Sequence, residues 1–163
     1  MNLHGQSIPL TVDDVSSILG LRNEGIDVAT SGNREEVDHV CKRFNFPIKT
    51  KLTFGIVEKE MFVLDGESDD FKTRLLLYIV GRFLCPSTDW GLSPNYYFYL
   101  NEDGLTGKLN WAKHAHKKLF DSITRKDESY LIGCVLLLEV SYIYYVDYFF
   151  IYFVIRDFQN VEV

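Results

Sequence analysis

Between Thr11 and Ile123 the apolar residues of this chain recur mostly three and four positions apart, and sustained two-residue alternation is absent before Val140. Residues at that spacing share one face of an α-helix, whereas a half-buried strand needs an apolar residue at every second position. The expectation is a mainly α fold, a single helical domain of about six or seven helices. A chain of 163 residues can bury roughly two-thirds of the surface that it exposes when unfolded, so neither a disulfide nor a metal is needed to hold a core.

Cap signals place the helices. Thr11, with Asp14 three residues later, has the pattern of a capping box, and Gly20 suits the C-terminal end of a helix over Val12–Leu19. Asn33 is positioned to cap Arg34–Phe44, where Val37, Val40, Cys41 and Phe44 form an apolar stripe and Pro47 supplies the stop. Between these helices Arg22 to Asn33 reads as a loop, in which Ile26-Asp27-Val28 has the composition of a brief strand. A helix is expected over Thr50–Leu64, then a polar connector from Asp65 to Asp70. Phe71–Leu84 follows, apolar nearly all round and stopped by Cys85-Pro86. This is the expected central buried helix, packed by helices over Trp111–Ile123 and Leu131–Tyr142. Ser93-Pro94 is a start signal for Asn95–Leu100, Asn101 to Gly107 reads as a turn, and Asn110 is positioned to cap the next helix. In that helix Trp111, Ala115, Leu119 and Ile123 make an inward stripe at i+4 spacing, which sends the lysines and histidines outward.

The chemistry-bearing residues form no catalytic set. Lys113-His114-Ala115-His116-Lys117-Lys118 is the one local basic cluster, and it reads as a solvated helix face rather than a phosphate contact. His39/Cys41 and His114/His116 resemble metal pairs, but residues two apart on a helix point about 200° away from each other and cannot chelate one ion. Cys134 follows Gly133 at a helix entry, where a thiol pKa can be lowered, yet no histidine partner is placed nearby, and a buried packing role is expected. Gly104 to Lys108 lacks the spacer, the preceding strand and the following Ser or Thr of a phosphate loop. Cys41, Cys85 and Cys134, an odd number without a signal peptide, read as reduced thiols of the cytosol or nucleus. The balance of 17 Lys+Arg against 23 Asp+Glu gives a formal charge of −6, which disfavours binding to nucleic acid. No catalytic, cofactor or metal residue is therefore assigned, and the chain is not expected to be an enzyme.

Three blocks carry a resemblance: Ile8 to Val15 with Ile18-Leu19-Gly20-Leu21, Phe71-Lys72-Thr73-Arg74 with Gly81 to Ser87, and Asn110-Trp111-Ala112-Lys113 with Leu131 to Leu138. In order and spacing they resemble the transposon-derived aminotransferase-like plant mobile domain, also described as the N-terminal region of plant SUMO-type cysteine protease family proteins. The likeness spans roughly residues 3 to 142. It implies a mostly helical module, nuclear in its mobile-element setting and often fused to a separate protease domain. No His, Asp, Gln and Cys set follows here, so the protease part is expected to be absent. The aminotransferase label fails a chemical test: a pyridoxal-phosphate enzyme needs a Schiff-base lysine, an acidic partner for the pyridinium and a phosphate cup, and no strand, glycine loop and helix unit supplies them.

The C-terminal stretch is different. From Leu131 to Ile155 the only charges are Glu139 and Asp147, and aromatic residues crowd from Tyr130 to Phe158. The length is sufficient to span a bilayer, but each acid costs about 2.5–3.5 kcal/mol near its centre. The preferred reading is a buried helix to about Tyr142 followed by a strand or second helix. The competing one is a small membrane protein anchored by residues 131–155. The resemblance fades after Tyr142, and residues 143–163 have the composition of translated non-coding sequence, as in a truncated or mis-spliced gene of a mobile-element remnant. The domain division expected is 1–142, helical, and 143–163, an aberrant apolar tail. The function expected is a non-catalytic protein-interaction or vestigial module with an unidentified protein partner, in the nucleus or cytoplasm, with membrane anchoring as the alternative. Trp111 and Phe83, each in a family-like block, are expected on apolar inward faces.

Overall fold

Thr11 opens the first helix as its sequence requires. Its Oγ1 accepts from Asp14 N at 3.2 Å, and Asp14 Oδ2 accepts from Thr11 N at 2.7 Å, so two of the otherwise unpaired N-terminal donors are satisfied reciprocally. In the computed structural model, which describes residues 2–3, 6–7, 9–47, 52–86, 91–100, 106–125 and 133–143, the helices are α1 (Val12–Leu19), α2 (Arg34–Arg43), α3 (Phe54–Met61), α4 (Asp69–Ile79) and α5 (Trp111–Thr124). A last helix, α6, covers residues 135–143. A π-helical turn, Val80–Leu84, extends α4, and a 3-10 segment spans Pro94–Leu100. The only strand pairing among the described residues is antiparallel, Asn2–Leu3 against Gln6–Ser7. The protein is a mainly helical single domain.

Three caps fall where the sequence put them: Gly20 ends α1 in the left-handed region, Asn33 Oδ1 accepts from Glu35 N at 3.1 Å, and Asn110 Oδ1 accepts from Lys113 N at 2.9 Å. The helix expected from Phe71 starts two residues earlier, at Asp69 inside the expected connector, because Ser68 Oγ accepts from Phe71 N at 3.1 Å. Asn45, at φ 55, turns the chain after α2 before Pro47 is reached. The helix expected over Thr50–Leu64 is confined to Phe54–Met61 in the described residues. The strand expected at 26–28 shrinks to one bridge, in which Ile26 N donates to Lys108 O and Asn110 N donates to Ile26 O, both at 2.9 Å. Gly25 makes this approach possible: its φ is 113°, and a Cβ there would stand 2.1 Å from the Lys108 carbonyl oxygen. The strand expected after 142 lies outside the described residues, apart from residue 143, which is helical.

α4 is not the enclosed central helix that its composition suggests. Leu75, Ile79 and Phe83, each four residues from the next, are partly exposed, Phe83 to 54%. α4 packs on α3 and against the 3-10 segment, while α5 lies on α1. Arg74 fixes that orientation. Buried at the contact, it donates from Nε to Glu60 at 2.6 Å and from Nη2 to the Phe44 carbonyl at 3.2 Å, with its guanidinium 5.0 Å from the Phe46 ring centroid. Turning that arginine inward turns the Leu75–Phe83 stripe outward.

On α5 the inward arc is Trp111, Ala112, His114, Ala115, Leu119 and Ser122, and Ile123 is 49% exposed. A strict i+4 series drifts by about 40° per step on a helix of 3.6 residues per turn, so three steps carry Ile123 about 120° from Trp111. His114 takes the buried place. α6 begins against α5 at Gly133 (φ 114), whose Cβ would lie 3.0 Å from Leu119 Cα. It buries Cys134, Leu137 and Ser141 and exposes Leu136, Val140 and Ile143. Among the described residues no helix is long and apolar enough to cross a membrane.

Candidate functional site

The loop from Ile26 to Asn33 divides two depressions. After the Ile26 bridge, Asp27, Val28 and Thr30 line one depression and Ala29 and Ser31 the other. Among the described residues, the backbone N–H and C=O groups of residues 27–31 have no hydrogen-bond partner within the chain.

The larger depression is an open groove of about 650 Å³ between this segment, α2 and the 3-10 segment. Tyr97, Phe98 and Leu100 form its floor, and α2 contributes Glu35, Glu36, His39 and Arg43. Two contacts shape the floor: Tyr97 stacks on Phe46 with ring centroids 5.6 Å apart, and Gly32 leaves room for Phe98, whose ring carbon would lie 2.7 Å from a Cβ at that position. Arg43 stands 3.9 Å from Asp69 and 5.0 Å over the Phe44 ring. The side chains of Glu35 and Glu36 have no ion-pair partner among the described residues.

The smaller depression, about 200 Å³, collects the basic cluster of α5: Lys113, Lys117 and Lys118, with Asp27 and Asp121 opposing them. Lys113 Nζ is held by Asp27 at 2.7 and 2.8 Å. His114 closes the inner wall, where its Nε2 lies 3.1 Å from Tyr99 Oη and its ring meets Tyr99 and Trp111 edge-on. Burial first, and then the charges of Lys118 and Lys117, push the imidazole pKa down to about 4. It is therefore neutral near pH 7. The placement of both histidines outward is thus corrected for His114, while His116 is half-buried with Nε2 2.8 Å from Leu10 O.

The other sequence candidates separate. His39 is exposed in the groove and Cys41 is buried in the core, so the pair is split as two-residue helical spacing dictates. Cys41, Cys85 and Cys134 are all buried, and burial raises each thiol pKa, that of Cys85 to about 12. Of Gly104 to Lys108 only the last three residues are described; Thr106 and Gly107 form a turn, and the Lys108 carbonyl serves the Ile26 bridge. Trp111 is inward as expected and Phe83 is not. Among the described residues no three His, Cys, Asp or Glu side chains are grouped to hold a metal. The groove residues Phe98, Glu35 and Glu36 were not singled out from sequence; the available signal was Phe98 within the aromatic run Tyr96 to Tyr99, of which the three tyrosines are buried.

A family model described as "Domain of unknown function (DUF8566)" matches residues 1–139. No curated protein and no solved structure matches the chain.

Proposed function

We propose that this chain, which belongs to the DUF8566 family, is a non-catalytic protein-interaction module that receives its partner in the groove between α2 and the 3-10 segment. The observation that carries the reading is the groove itself: a preformed floor of Tyr97, Phe98 and Leu100 under a charged rim, the composition of a protein contact rather than of a reaction centre. Support for the absence of catalysis comes from the buried thiols, whose raised pKa values keep them protonated, and from His114, whose Nε2 is engaged by Tyr99. The mobile-element origin rests on the resemblance of the three blocks to the plant mobile domain, and with it goes placement in the nucleus or cytoplasm.

The test is site-specific photocrosslinking in cells that make the chain, with a benzophenone side chain at Phe98 or, as control, at Lys59 on α3. The expected result is a product of discrete mass from position 98 alone, suppressed by excess unlabelled chain. Identical products from both positions, or none from 98, would overturn the reading. Retention of the chain in membranes after alkaline extraction would overturn it in favour of the anchored alternative.

A further inference from the structure

We infer that the small depression beside α5 is a binding site for a single phosphate group, held by Asn110, His114, Lys117 and Lys118. The site lies apart from the groove, and it does not depend on the interaction reading above.

Three observations carry it. The first is a pair of buried side chains that each keep one nitrogen uncommitted. Asn110 and His114 are only 8% and 7% exposed, and both line the depression. Asn110 gives its Oδ1 to the Lys113 amide and His114 its Nε2 to Tyr99, which leaves Asn110 Nδ2 and His114 Nδ1 without a partner among the described residues. The one sealed side-chain polar atom that lacks a hydrogen bond among those residues is Thr73 Oγ1. Neither nitrogen is therefore sealed, and each opens onto the depression that its residue lines. When Tyr99 donates to Nε2 the ring proton sits on Nδ1, so that both nitrogens are donors awaiting an acceptor.

The second is charge. Lys113 is neutralised by Asp27, which holds its Nζ with both carboxylate oxygens. Lys117 and Lys118 have no ion-pair partner among the described residues. They stand about one turn beyond His114, long helical side chains lean back toward the N-terminus, and the charges of both act on the His114 ring. Asp121 opposes them with one carboxylate, so the depression keeps a positive balance in a chain whose formal charge is −6. The third is size. At about 200 Å³ the depression is smaller than the ~300–1,000 Å³ of sites that enclose a whole small molecule, which limits it to one group. A phosphate monoester carries about −1.5 to −2 charges at pH 7 and presents three strong acceptor oxygens, enough to engage Asn110 Nδ2, His114 Nδ1 and a lysine together. A nucleic-acid strand is disfavoured by the acidity of the rest of the surface.

The test is a titration of the isotope-labelled full chain at pH 7 and constant ionic strength, once with inorganic phosphate and once with N-acetyl-phosphoserine amide, read by nuclear magnetic resonance. The Asn110 side-chain amide and the His114 ring should shift and saturate with a dissociation constant of about 1 mM or below, while the His116 ring, held on the Leu10 carbonyl, stays in place. Tighter binding of the phosphoserine amide would support a phosphate delivered on a protein side chain, and tighter binding of inorganic phosphate would support a free ion. Lys117→Gln/Lys118→Gln should weaken binding about tenfold, whereas Lys42→Gln/Lys72→Gln, with the same loss of charge on α2 and α4, should leave it unchanged. Asn110→Asp keeps an acceptor for the Lys113 amide and puts a carboxylate oxygen in place of Nδ2, so it should abolish binding while the α5 amide resonances persist. Shifts that are still linear at about 20 mM of either probe, equal weakening by the two lysine pairs, or undiminished binding by Asn110→Asp would overturn the inference.

Discussion

His114→Gln tests the most unexpected side chain of the core. The wild-type imidazole is 7% exposed, stacked edge-on against Tyr99 and Trp111, and its pKa falls from 6.5 to about 4 because of burial and then of Lys118 and Lys117. A histidine with a lowered folded pKa takes up its proton in the unfolded chain first. Stability is therefore fully present above pH 6.5, falls as the pH drops through the window from 6.5 to about 4, and changes no further through this group below it. At about 1.36 kcal/mol per unit the window is worth roughly 3 kcal/mol, a large part of the ~5–15 kcal/mol of a typical domain. Glutamine keeps a hydrogen-bonding partner for Tyr99 Oη and does not titrate. Urea denaturation of both proteins at intervals from about pH 7.5 to about pH 4 isolates the term, because carboxylates contribute equally to each and cancel in the difference. Wild type should lose roughly 3 kcal/mol more than the variant across the window. Parallel curves would show that the imidazole is protonated or solvated in the folded state, and the inward placement of His114 would be wrong.

Three further outcomes are expected. Trp111→Ala, at a buried indole edge-on to Tyr99, should cost ~3–5 kcal/mol, whereas Phe83→Ala, at a half-exposed ring, should stay within about 1 kcal/mol; denaturant midpoints of the two variants measure the contrast. Gly25→Ala should cost about 2–4 kcal/mol, since its Cβ would enter the Lys108 carbonyl, and the Ile26 and Asn110 amides should lose protection first. Arg74→Met should cost about 2–4 kcal/mol by leaving the Phe44 carbonyl and Glu60 without their donor, read as a lower melting temperature without loss of helix content at low temperature.

Local chemistry made much of the fold readable. Thr11 and Asp14, Gly20, Asn33 and Asn110 each act within a few residues along the chain, so their caps follow from short-range geometry alone. Rotation of a helix about its axis is a different matter, because it depends on what lies across the interface. Arg74 reads as an interruption in an apolar run, yet a carboxylate from α3 and a carbonyl beyond α2 draw it inward, and the Leu75–Phe83 stripe is left outside. His114 reads as part of a charged face until Tyr99 supplies a buried partner from another element. The groove was still less legible. Its floor comes from a 3-10 segment and its edge from a loop whose single bridge is made to residues more than eighty positions away, and neither leaves a periodic trace in the sequence. The glycines that permit those approaches, Gly25 and Gly32, look like ordinary loop residues until the neighbouring atoms are placed.

Amide hydrogen exchange resolved by residue tests most directly the bridge that sets the wall of the groove. The Ile26 and Asn110 amides, bonded at 2.9 Å, should exchange far more slowly than in an unfolded peptide, and Gly25→Ala should abolish that protection while the amides of α4 keep theirs. Exchange of the Ile26 and Asn110 amides at the unfolded-peptide rate in the parent chain would contradict the account.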